Sequence, residues 1–368
     1  MLCPIHVFQA HPASTFCVND TAARGEDGSS VALTKAHLAR AKVEGKHFYI
    51  GCGFHRPHAA YITTSKHWAT YDGANVSAAV HRTMHPSVPD LAMIVNFGIG
   101  LENGSRYTWD PRNSPVPVEV QLEVRRHYYA AISWMDELVG EVLDAVDSNG
   151  FKDDTIVIFH ADHGYFMGES GEWEKKMLFE NTARVPLLIH DPSFPHQMRT
   201  TELAELVDIY PTLVSLAGLP VPSSKLIDGV DLSTLFASGG TVSPPLKPAA
   251  FSMFPRCPDA NPVTHHVCFN TNDTAFPFMG FSIRVTDWRY TEWRHWDGGA
   301  LNGVWTAAGL ADQELYDYSA NNGWPADSPG SFDREQINLA VGAGKVAHAG
   351  TIETLAAQLK AHYTGNAG

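Results

Sequence analysis

The sequence predicts an α/β protein with a mainly parallel sheet flanked by helices, followed by a smaller C-terminal α+β subdomain with antiparallel strands. A long amphipathic helix precedes two short, continuously apolar strands, "TIVIFH" and "RVPLLIH", a succession typical of parallel sheets that are buried on both faces. Farther along, "GFSIRVTDWRYTEWR" places two strands around Thr286-Asp287, which is the pattern of a hairpin. We therefore expect an α/β core in residues 1–240 and the subdomain in residues 241–368.

The first part of the chain predicts a helix, a strand and a long irregular segment. Residues 29–43, "SSVALTKAHLARAKV", have the apolar spacing of an amphipathic helix, and a serine stands at the capping position. "KHFYIGCG" then predicts a strand of aromatic and β-branched residues that ends in glycines. Residues 65–117 are rich in Pro, Gly, Asn and Ser, so we expect them to be mostly irregular.

The long helix that follows has the clearest pattern in the sequence. "SPVPVEV" leads into it, Asn149-Gly150 ends it, and its apolar residues recur at three- and four-residue steps, namely Val124, Tyr128, Ala131, Met135, Leu138, Val142 and Val146. Beyond the two apolar strands, "ELVDIYPTLVSLAGLP" predicts a helix that ends at Gly218. Residues 237–248 have the composition of a linker, and residues 350–363 predict a terminal helix.

Composition and charge exclude several classes of protein. The chain of 368 residues has no apolar run of the roughly 18 residues that a membrane helix needs, so we expect no membrane partner. Its start, "MLCPIHVFQAHPAST", does not have the charge and hydropathy pattern of a signal peptide. A formal net charge of −14 argues against nucleic acid as the main partner. An anionic substrate would therefore need a local basic pocket.

The cysteines and the glycosylation sequons bear on the redox environment. No two of the five cysteines form a CxxC pair, so a zinc ribbon or a thioredoxin-type site is not expected. Cys257 and Cys268 can pair as a disulfide or remain thiols. Asn-x-Ser/Thr sequons occur at four positions, Asn19, Asn75, Asn103 and Asn272. Such sequons arise by chance and only hint at a secretory history.

Polar residues crowd directly behind the strand "TIVIFH". In open α/β sheets, ligands bind outside the carboxyl ends of the strands, where Asp162-His163-Gly164 is expected to lie. Asp162 can be a ligand for a hard divalent cation or a helix-capping residue. His55, behind the earlier predicted strand, can protonate a leaving group or be an ordinary surface histidine. Lys175 offers a compact positive charge for an anion, and its neighbour Lys176 is expected at the surface.

Several segments resemble the sulfatase family, and most closely its iduronate-2-sulfatase-like branch. "ADHGYFMGESGEWEKK" resembles the Asp-His-Gly and Gly-Glu-Trp-x-Lys region, and "GCGFHRPH" resembles the strand with its histidine loop. "RVPLLIHDP", "ELVDIYPTLVSLAGLP", "DGVDLSTLF" and "MGFSIRVTDWRYTEW" resemble the segments that follow, in the same order over most of the chain. The resemblance implies an alkaline-phosphatase-like fold and a hydrolase for the sulfate esters of sulfated sugars or glycosaminoglycans.

The resemblance also assigns roles to individual residues. It implies that His55 and Lys175 are catalytic, His55 as the acid that protonates the leaving group and Lys175 as a sulfate contact. It places Asp162 and His163 in the shell of a Ca²⁺ ion, although His163 can instead bind a substrate oxygen. The remaining residues that it assigns to substrate binding are Arg56, His58, Glu172 and Trp173. Of these, Arg56 can touch a sulfate or be solvated, while Glu172 and Trp173 position the loop rather than react.

The chain departs from the family pattern at its front. Sulfatases have an N-terminal strand ending in Asp-Asp and then Cys-x-Pro-x-Arg, whose cysteine becomes the formylglycine nucleophile, and neither motif occurs here. We therefore identify no nucleophile and expect an incomplete sulfatase that is inactive alone. The alternative is a catalytically dead sulfatase-like protein that binds sulfated glycans or a partner. A related phosphate-ester hydrolase is disfavoured by the "GEW" and lysine stretch. Oligomeric state and compartment are not assigned, although the family is typically lysosomal, secreted or periplasmic.

Overall fold

The chain folds into two compact units. The computed structural model describes residues 16–20, 25–72, 76–94, 98–100, 106–194, 196–220, 226–258, 265–266, 268, 271–319 and 335–365. The first unit comprises Met1–Ala78, Phe97–Trp109 and Val116–Thr155, and the second comprises Ala79–Asn96, Asp110–Pro115 and Ile156–Gly368. The second unit contains residues on both sides of the boundary that the sequence predicts at residue 240, and that boundary stays a prediction.

The first unit is built mainly from helices. Its helices are α1 (Gly25–Glu44), α2 (Ser65–Ala69) and α3 (Val118–Ser148). Its strands are the parallel pair β1 (Phe16–Val18) and β2 (Tyr61–Thr63) and the antiparallel pair β3 (Gly98–Gly100) and β4 (Arg106–Thr108). Helices α1 and α3 pack together through the buried side chains of Val31, Trp134 and Leu138.

The long helix α3 confirms its prediction. It begins after Pro117 and ends at Asn149, and Gly150 follows in the left-handed conformation at a φ of 78°. The predicted apolar stripe includes three fully buried residues, Val124, Ala131 and Leu138. The spacing of the apolar residues and the Asn149-Gly150 stop signal were therefore sufficient to predict this helix.

Two predictions for the first unit are wrong. Helix α1 begins at Gly25 rather than at residue 29, so Ser29 lies inside it and donates its hydroxyl to the Gly25 carbonyl oxygen at 3.3 Å instead of capping. Residues 46–53 form no strand, because no described neighbouring segment pairs with them, and Tyr49 is 84% exposed. The aromatic and β-branched composition of this segment does not supply the ladder partner that a strand needs.

The second unit contains the larger sheet. Its strands are β5 (Val157–His160), β6 (Phe166–Met167), β7 (Trp173–Glu174), β8 (Leu187–His190), β9 (Ala250–Pro258), β10 (His265–His266), β11 (Phe278–Arg284), β12 (Trp288–Asp297), β13 (Asn302–Gly303) and β14 (Leu310–Asp317). Its helices are α4 (Glu180–Ala183), α5 (Ile209–Leu216), α6 (Thr234–Ser238), α7 (Gly342–Ala347) and α8 (Ala349–Gly365). Strands β10, β9, β11, β12 and β13 are neighbours in that order, and β14 pairs with β12.

This antiparallel sheet confirms the predicted C-terminal architecture. Strands β11 and β12 form the expected hairpin, and the Val285 and Trp288 backbones bond across its turn. Helix α8, which confirms the predicted terminal helix, packs its buried Ile352, Leu355 and Leu359 into the same core as the sheet. The apolar face of each element is therefore covered by the other.

A buried polar network accompanies this core. The Glu314 carboxylate on β14 accepts a hydrogen bond from the Trp293 indole at 2.7 Å and another from the Tyr316 hydroxyl at 2.6 Å. Glu314 is 2% exposed. Both carboxylate oxygens thus have partners, as a buried polar group requires.

The two apolar strands pair differently from the prediction. Both exist, as β5 and β8, but they are antiparallel, with His160 opposite Leu187. The sequence pattern predicted burial on both faces, yet Leu188 is 59% exposed and Phe159 is 36% exposed. The direction follows from the segment between them, which forms the β6–β7 hairpin and the short α4 rather than a helix long enough for a parallel crossover.

The segments that follow β8 agree with the sequence. Helix α5 stops where predicted, and Gly218 has a φ of 68° behind it. The predicted linker connects α6 to β9, but Lys247 within it is buried and ion-pairs with Glu205 at 2.5 Å and Asp208 at 2.6 Å. None of the helices in the described ranges combines the length and hydropathy that a bilayer crossing requires.

Candidate functional site

His55 lies in a loop of the first unit that a buried carboxylate holds in place. The Asp27 carboxylate, in the first turn of α1, accepts the backbone N–H of His55 at 2.5 Å and a hydrogen bond from the Arg56 guanidinium. The same guanidinium stacks on the Trp134 ring of α3 at 3.7 Å. Asp27 is 1% exposed. The backbone at His55 is therefore fixed from both α1 and α3 while the residue itself is exposed.

The three candidate site residues in "FHRPH", His55, Arg56 and His58, differ in their surroundings. Arg56 is mostly buried and its charge is already paired with Asp27, so the geometry supports a structural role rather than a substrate contact. The His58 ring lies 4.8 Å from the His55 ring, and its Nδ1 is 2.6 Å from the Ala59 carbonyl oxygen. His55 thus keeps an accessible imidazole, as a general acid requires.

Asp162 and His163 lie immediately behind β5 in the second unit. The Asp162 side chain is 84% exposed, and its Oδ2 is 3.4 Å from His163 Nε2. Its Oδ1 accepts the backbone N–H of His163 at 3.0 Å, while His163 Nδ1 is 2.9 Å from the Gly164 carbonyl oxygen. The two side chains therefore form a small polar pair that faces solvent at the end of a strand.

Gly164, which follows them, allows a close backbone approach. A Cβ atom on Gly164 would lie 2.0 Å from the carbonyl oxygen of Asn181. The Gly164 N–H also donates to the Thr182 carbonyl oxygen at 2.9 Å. Any larger residue at position 164 would push this turn away from α4, and Asp162 with it.

The donors present do not complete a calcium site. Calcium takes six to eight oxygen ligands. Asp162 supplies one carboxylate and His163 a nitrogen, and among the described residues no group of three or more His, Cys, Asp or Glu side chains could hold a metal ion. The metal role of this pair stays a prediction, and the described residues do not by themselves fit the ion.

Lys175 follows β7 and is half-buried. Burial lowers its pKa, and the charges of Asp162 and Glu174 oppose that shift, while the charge of Lys176 adds to it. Asp162 and Lys175 therefore act on each other electrostatically within one unit. Lys176 forms an ion pair with Glu174 at 2.7 Å, whereas Lys175 forms none with the residues that the structure describes.

Lys176 corrects a prediction. The sequence placed it at the surface, but its side chain is only 15% exposed because Glu174 holds it against the protein. Glu174 itself has a φ of 73°, which turns the chain sharply at the end of β7, just before the two lysines. Lys176 is therefore unsuited as a surface control for Lys175.

Glu172 and Trp173 are buried within the second unit. Glu172 Oε1 accepts the backbone N–H of Ile94 at 3.1 Å, and Trp173 is 2% exposed on β7. The charge of Glu172 also favours the protonated form of buried Arg256. These contacts suit residues that position the loop, and any contact with substrate stays a prediction.

Sequence reasoning missed Asp27. It lies 28 positions before His55, inside "RGEDGSS", where one acidic residue among several gives no signal of its role. His55 and Lys175 belong to different units.

Comparison with known proteins identifies the family. The sulfatase family model matches residues 6–219, and the model described as N-sulphoglucosamine sulphohydrolase, C-terminal, matches residues 168–308. The chain is 29% identical over 305 residues to iduronate 2-sulfatase of Mus musculus, covering 71% of this chain and 54% of that protein. For the Homo sapiens protein, the identity is 28% over 338 residues, covering 80% and 58%. The chain thus spans a little over half the length of these curated relatives.

Solved structures have the same fold. A phosphonate monoester hydrolase from Silicibacter pomeroyi superposes with a TM-score of 0.64 at 20% identity, covering 94% of this chain and 61% of that one. A protein solved in complex with its substrate D-glucosamine-2-N,6-O-disulfate superposes with a TM-score of 0.61 at 16% identity, covering 92% and 70%. These likenesses confirm the alkaline-phosphatase-like fold that the sequence predicted. Because the sulfatase family model matches more than half of its residues, this chain belongs to the sulfatase family.

Proposed function

We propose that this chain forms part of a sulfuric ester hydrolase of the iduronate-2-sulfatase-like type, acting on the sulfate esters of sulfated sugars or glycosaminoglycans. Membership of the sulfatase family supports the reaction class. The similarity to iduronate 2-sulfatase supports the type, and the disulfated sugar bound by one structural relative supports the substrate class.

The observation that carries the proposal is the environment of Lys175. A half-buried ammonium loses hydration, and Lys175 has no compensating ion pair among the described residues. An incoming anion would supply the negative charge that pairs directly with the Lys175 ammonium. A sulfate ester offers oxygen atoms that accept hydrogen bonds from an ammonium group, and such charge-assisted bonds are stronger than neutral ones.

The family resemblance gives the other candidates their roles. His55, with its backbone fixed by Asp27, donates a proton to the leaving-group oxygen as the ester bond breaks. Asp162 and His163 are the residues of this chain that we assign to the metal shell of the family. In that shell the described residues supply only part of the ligand set.

Turnover needs a nucleophile that this sequence does not show. No Cys-x-Pro-x-Arg string occurs in the 368 residues, so we propose that the chain alone is inactive. The same observation favours the second candidate, a sulfatase-like protein that binds sulfated glycans without hydrolysing them. Both candidates require Lys175 to bind the sulfate, and they differ in turnover.

The first test measures binding. The full chain is titrated with a sulfated oligosaccharide and with its desulfated counterpart, over a series of salt concentrations. Lys175→Ala should weaken binding of the sulfated form about tenfold, the loss expected for one hydrogen bond to a charged group. Lys360→Ala, an exposed lysine on α8, is the matched control and should leave binding unchanged. Equal losses in both variants would refute the Lys175 site.

The second test measures turnover. The chain is incubated with a formylglycine-generating enzyme and an aryl sulfate, and hydrolysis is followed by release of the aryl alcohol. No hydrolysis is expected. Turnover that is abolished by Lys175→Ala and His55→Ala would contradict inactivity and establish that this chain completes its site in another way.

A further inference from the structure

The structure describes two of the four sequon asparagines, Asn19 and Asn272, and their environments are opposite. Asn19 is 4% exposed, and its backbone N–H donates to the Thr63 carbonyl oxygen at 2.8 Å beside the β1–β2 pair. A glycan on a buried side chain would have to displace this packing. Asn272, by contrast, is exposed, as are Asp273 and Thr274 behind it. Asn75 and Asn103 lie outside the described residues.

The side chain of Asn272 is arranged with its amide nitrogen available. Its Oδ1 accepts the backbone N–H of Thr274 at 2.9 Å and the Thr274 hydroxyl at 2.8 Å. Its Nδ2, the atom that would carry a glycan, has no hydrogen-bond partner in the described part of the chain. These two hydrogen bonds hold the backbone and hydroxyl of Thr274 against the amide oxygen of Asn272.

Neighbouring contacts fix this turn at the surface. The Trp296 indole on β12 donates to the Asp273 carbonyl oxygen at 2.7 Å. Gly298 packs so closely that a Cβ atom there would lie 1.8 Å from the Thr274 carbonyl oxygen. The exposed position of Asn272 is therefore built into the end of the six-stranded sheet.

A disulfide shortly before this turn points to the compartment. Cys257 and Cys268 are bonded, with their Cα atoms 5.0 Å apart. Disulfides of this structural kind form and persist in oxidising compartments. N-linked glycans are carried by secreted proteins on surface loops. The bond and the exposed sequon are independent observations that agree.

We propose that Asn272 is an N-glycosylation site and that Asn19 is not. The donor would be an oligosaccharide linked to a lipid pyrophosphate. The Nδ2 atom of Asn272 attacks the anomeric carbon of this donor, and a C–N bond forms. The C–O bond to the pyrophosphate breaks and the lipid pyrophosphate leaves. One amide proton passes to a base. No atom changes oxidation state. The assignment does not depend on the sulfatase activity of the chain.

The test maps glycan occupancy peptide by peptide. The full chain is directed into the secretory pathway of a eukaryotic cell, purified, and treated with an N-glycosidase in heavy-oxygen water, which marks each formerly glycosylated asparagine. The Asn272 peptide should be marked. Asn272→Gln and Thr274→Ala should each abolish the mark, Thr274→Ser should keep it, and Asn19→Gln should leave the pattern unchanged.

The disulfide provides the internal control for delivery. Mass spectrometry under non-reducing conditions shows whether the Cys257–Cys268 bond has formed. If the bond is present and the Asn272 peptide is unmarked, the proposal is overturned. A marked Asn19 peptide would also overturn it. Thr274→Ala keeps the asparagine and its fold contacts through the backbone, so its loss of the glycan cannot be attributed to misfolding when the disulfide is present.

Discussion

Replacing Glu314 by glutamine should remove a pH dependence from the stability of the second unit. Burial raises the pKa of the Glu314 carboxyl from 4.5 to about 7, and the charge of Glu335 adds to the rise. Hydrogen bonds from Tyr316 and Trp293 and the charge of Arg256 act in the opposite direction and do not cancel it. The folded protein therefore keeps the Glu314 proton at a pH where the unfolded chain has lost it.

The size of the effect follows from the two pKa values. Below about pH 4.5 both states are protonated, and Glu314 imposes no penalty on folding. As the pH rises from there to about 7 the unfolded chain ionises first, so the free energy of unfolding falls, by about 3 kcal/mol in total and by about 2 kcal/mol between about pH 5 and about pH 7.5. Above that window the loss is complete and constant.

The assay compares urea unfolding, followed by tryptophan fluorescence, at about pH 5 and about pH 7.5. In Glu314→Gln the amide keeps the shape of the side chain and does not titrate, so the wild-type chain should lose about 2 kcal/mol relative to the variant between the two conditions. Glu353→Gln, at an exposed position on α8, serves as the control and should follow the wild type. If the difference between wild type and Glu314→Gln is the same at both pH values, the raised pKa is refuted.

Three further predictions concern the Asp27 carboxylate, calcium binding and the disulfide. Asp27→Ala should lower the free energy of unfolding of the first unit by about 3–5 kcal/mol, because it removes the buried carboxylate that pairs with the Arg56 guanidinium and accepts the His55 N–H, and an unchanged urea midpoint would contradict this role of Asp27. Calorimetric titration with calcium should show no tight site on this chain, and submicromolar binding that is lost in Asp162→Asn would prove this expectation wrong. Replacing Cys257 and Cys268 by serine should cost about 3 kcal/mol, the value for so short a loop, measured as a lower urea midpoint than that of the oxidised wild type.

Elements with a sustained periodic pattern were predictable from the sequence. Helix α3 repeats its apolar spacing over many turns and has its own stop signal, so local information is sufficient. The β11–β12 hairpin is likewise predicted by two strand patterns on either side of a short turn. The motif around Asp162 was found because several polar residues follow one apolar strand within a short stretch.

Features that depend on distant partners were not predictable. The direction of β8 relative to β5 depends on how the segment between them folds, and the strand patterns are the same for either direction. Residues 46–53 have strand composition but find no strand partner among the residues that the structure describes, and no local rule reveals this. The contact between Asp27 and the His55 loop forms because α1 is folded beside that loop. Neither segment has a sequence pattern of its own that predicts the pairing.

The antiparallel pairing of β5 and β8 anchors both ends of the segment between them. The chain leaves the sheet after His160 and returns at Leu187 on the adjacent strand, about 5 Å away. Both ends of segment 161–186 are thereby fixed by one pair of strands, whatever lies between. Within this segment, Trp173, Leu178 and Phe179 are buried in the core and tolerate little change. Asp162 is exposed, so a change of charge there leaves the register of the sheet intact. The exposed positions of the segment can therefore vary in small steps, each of which still folds.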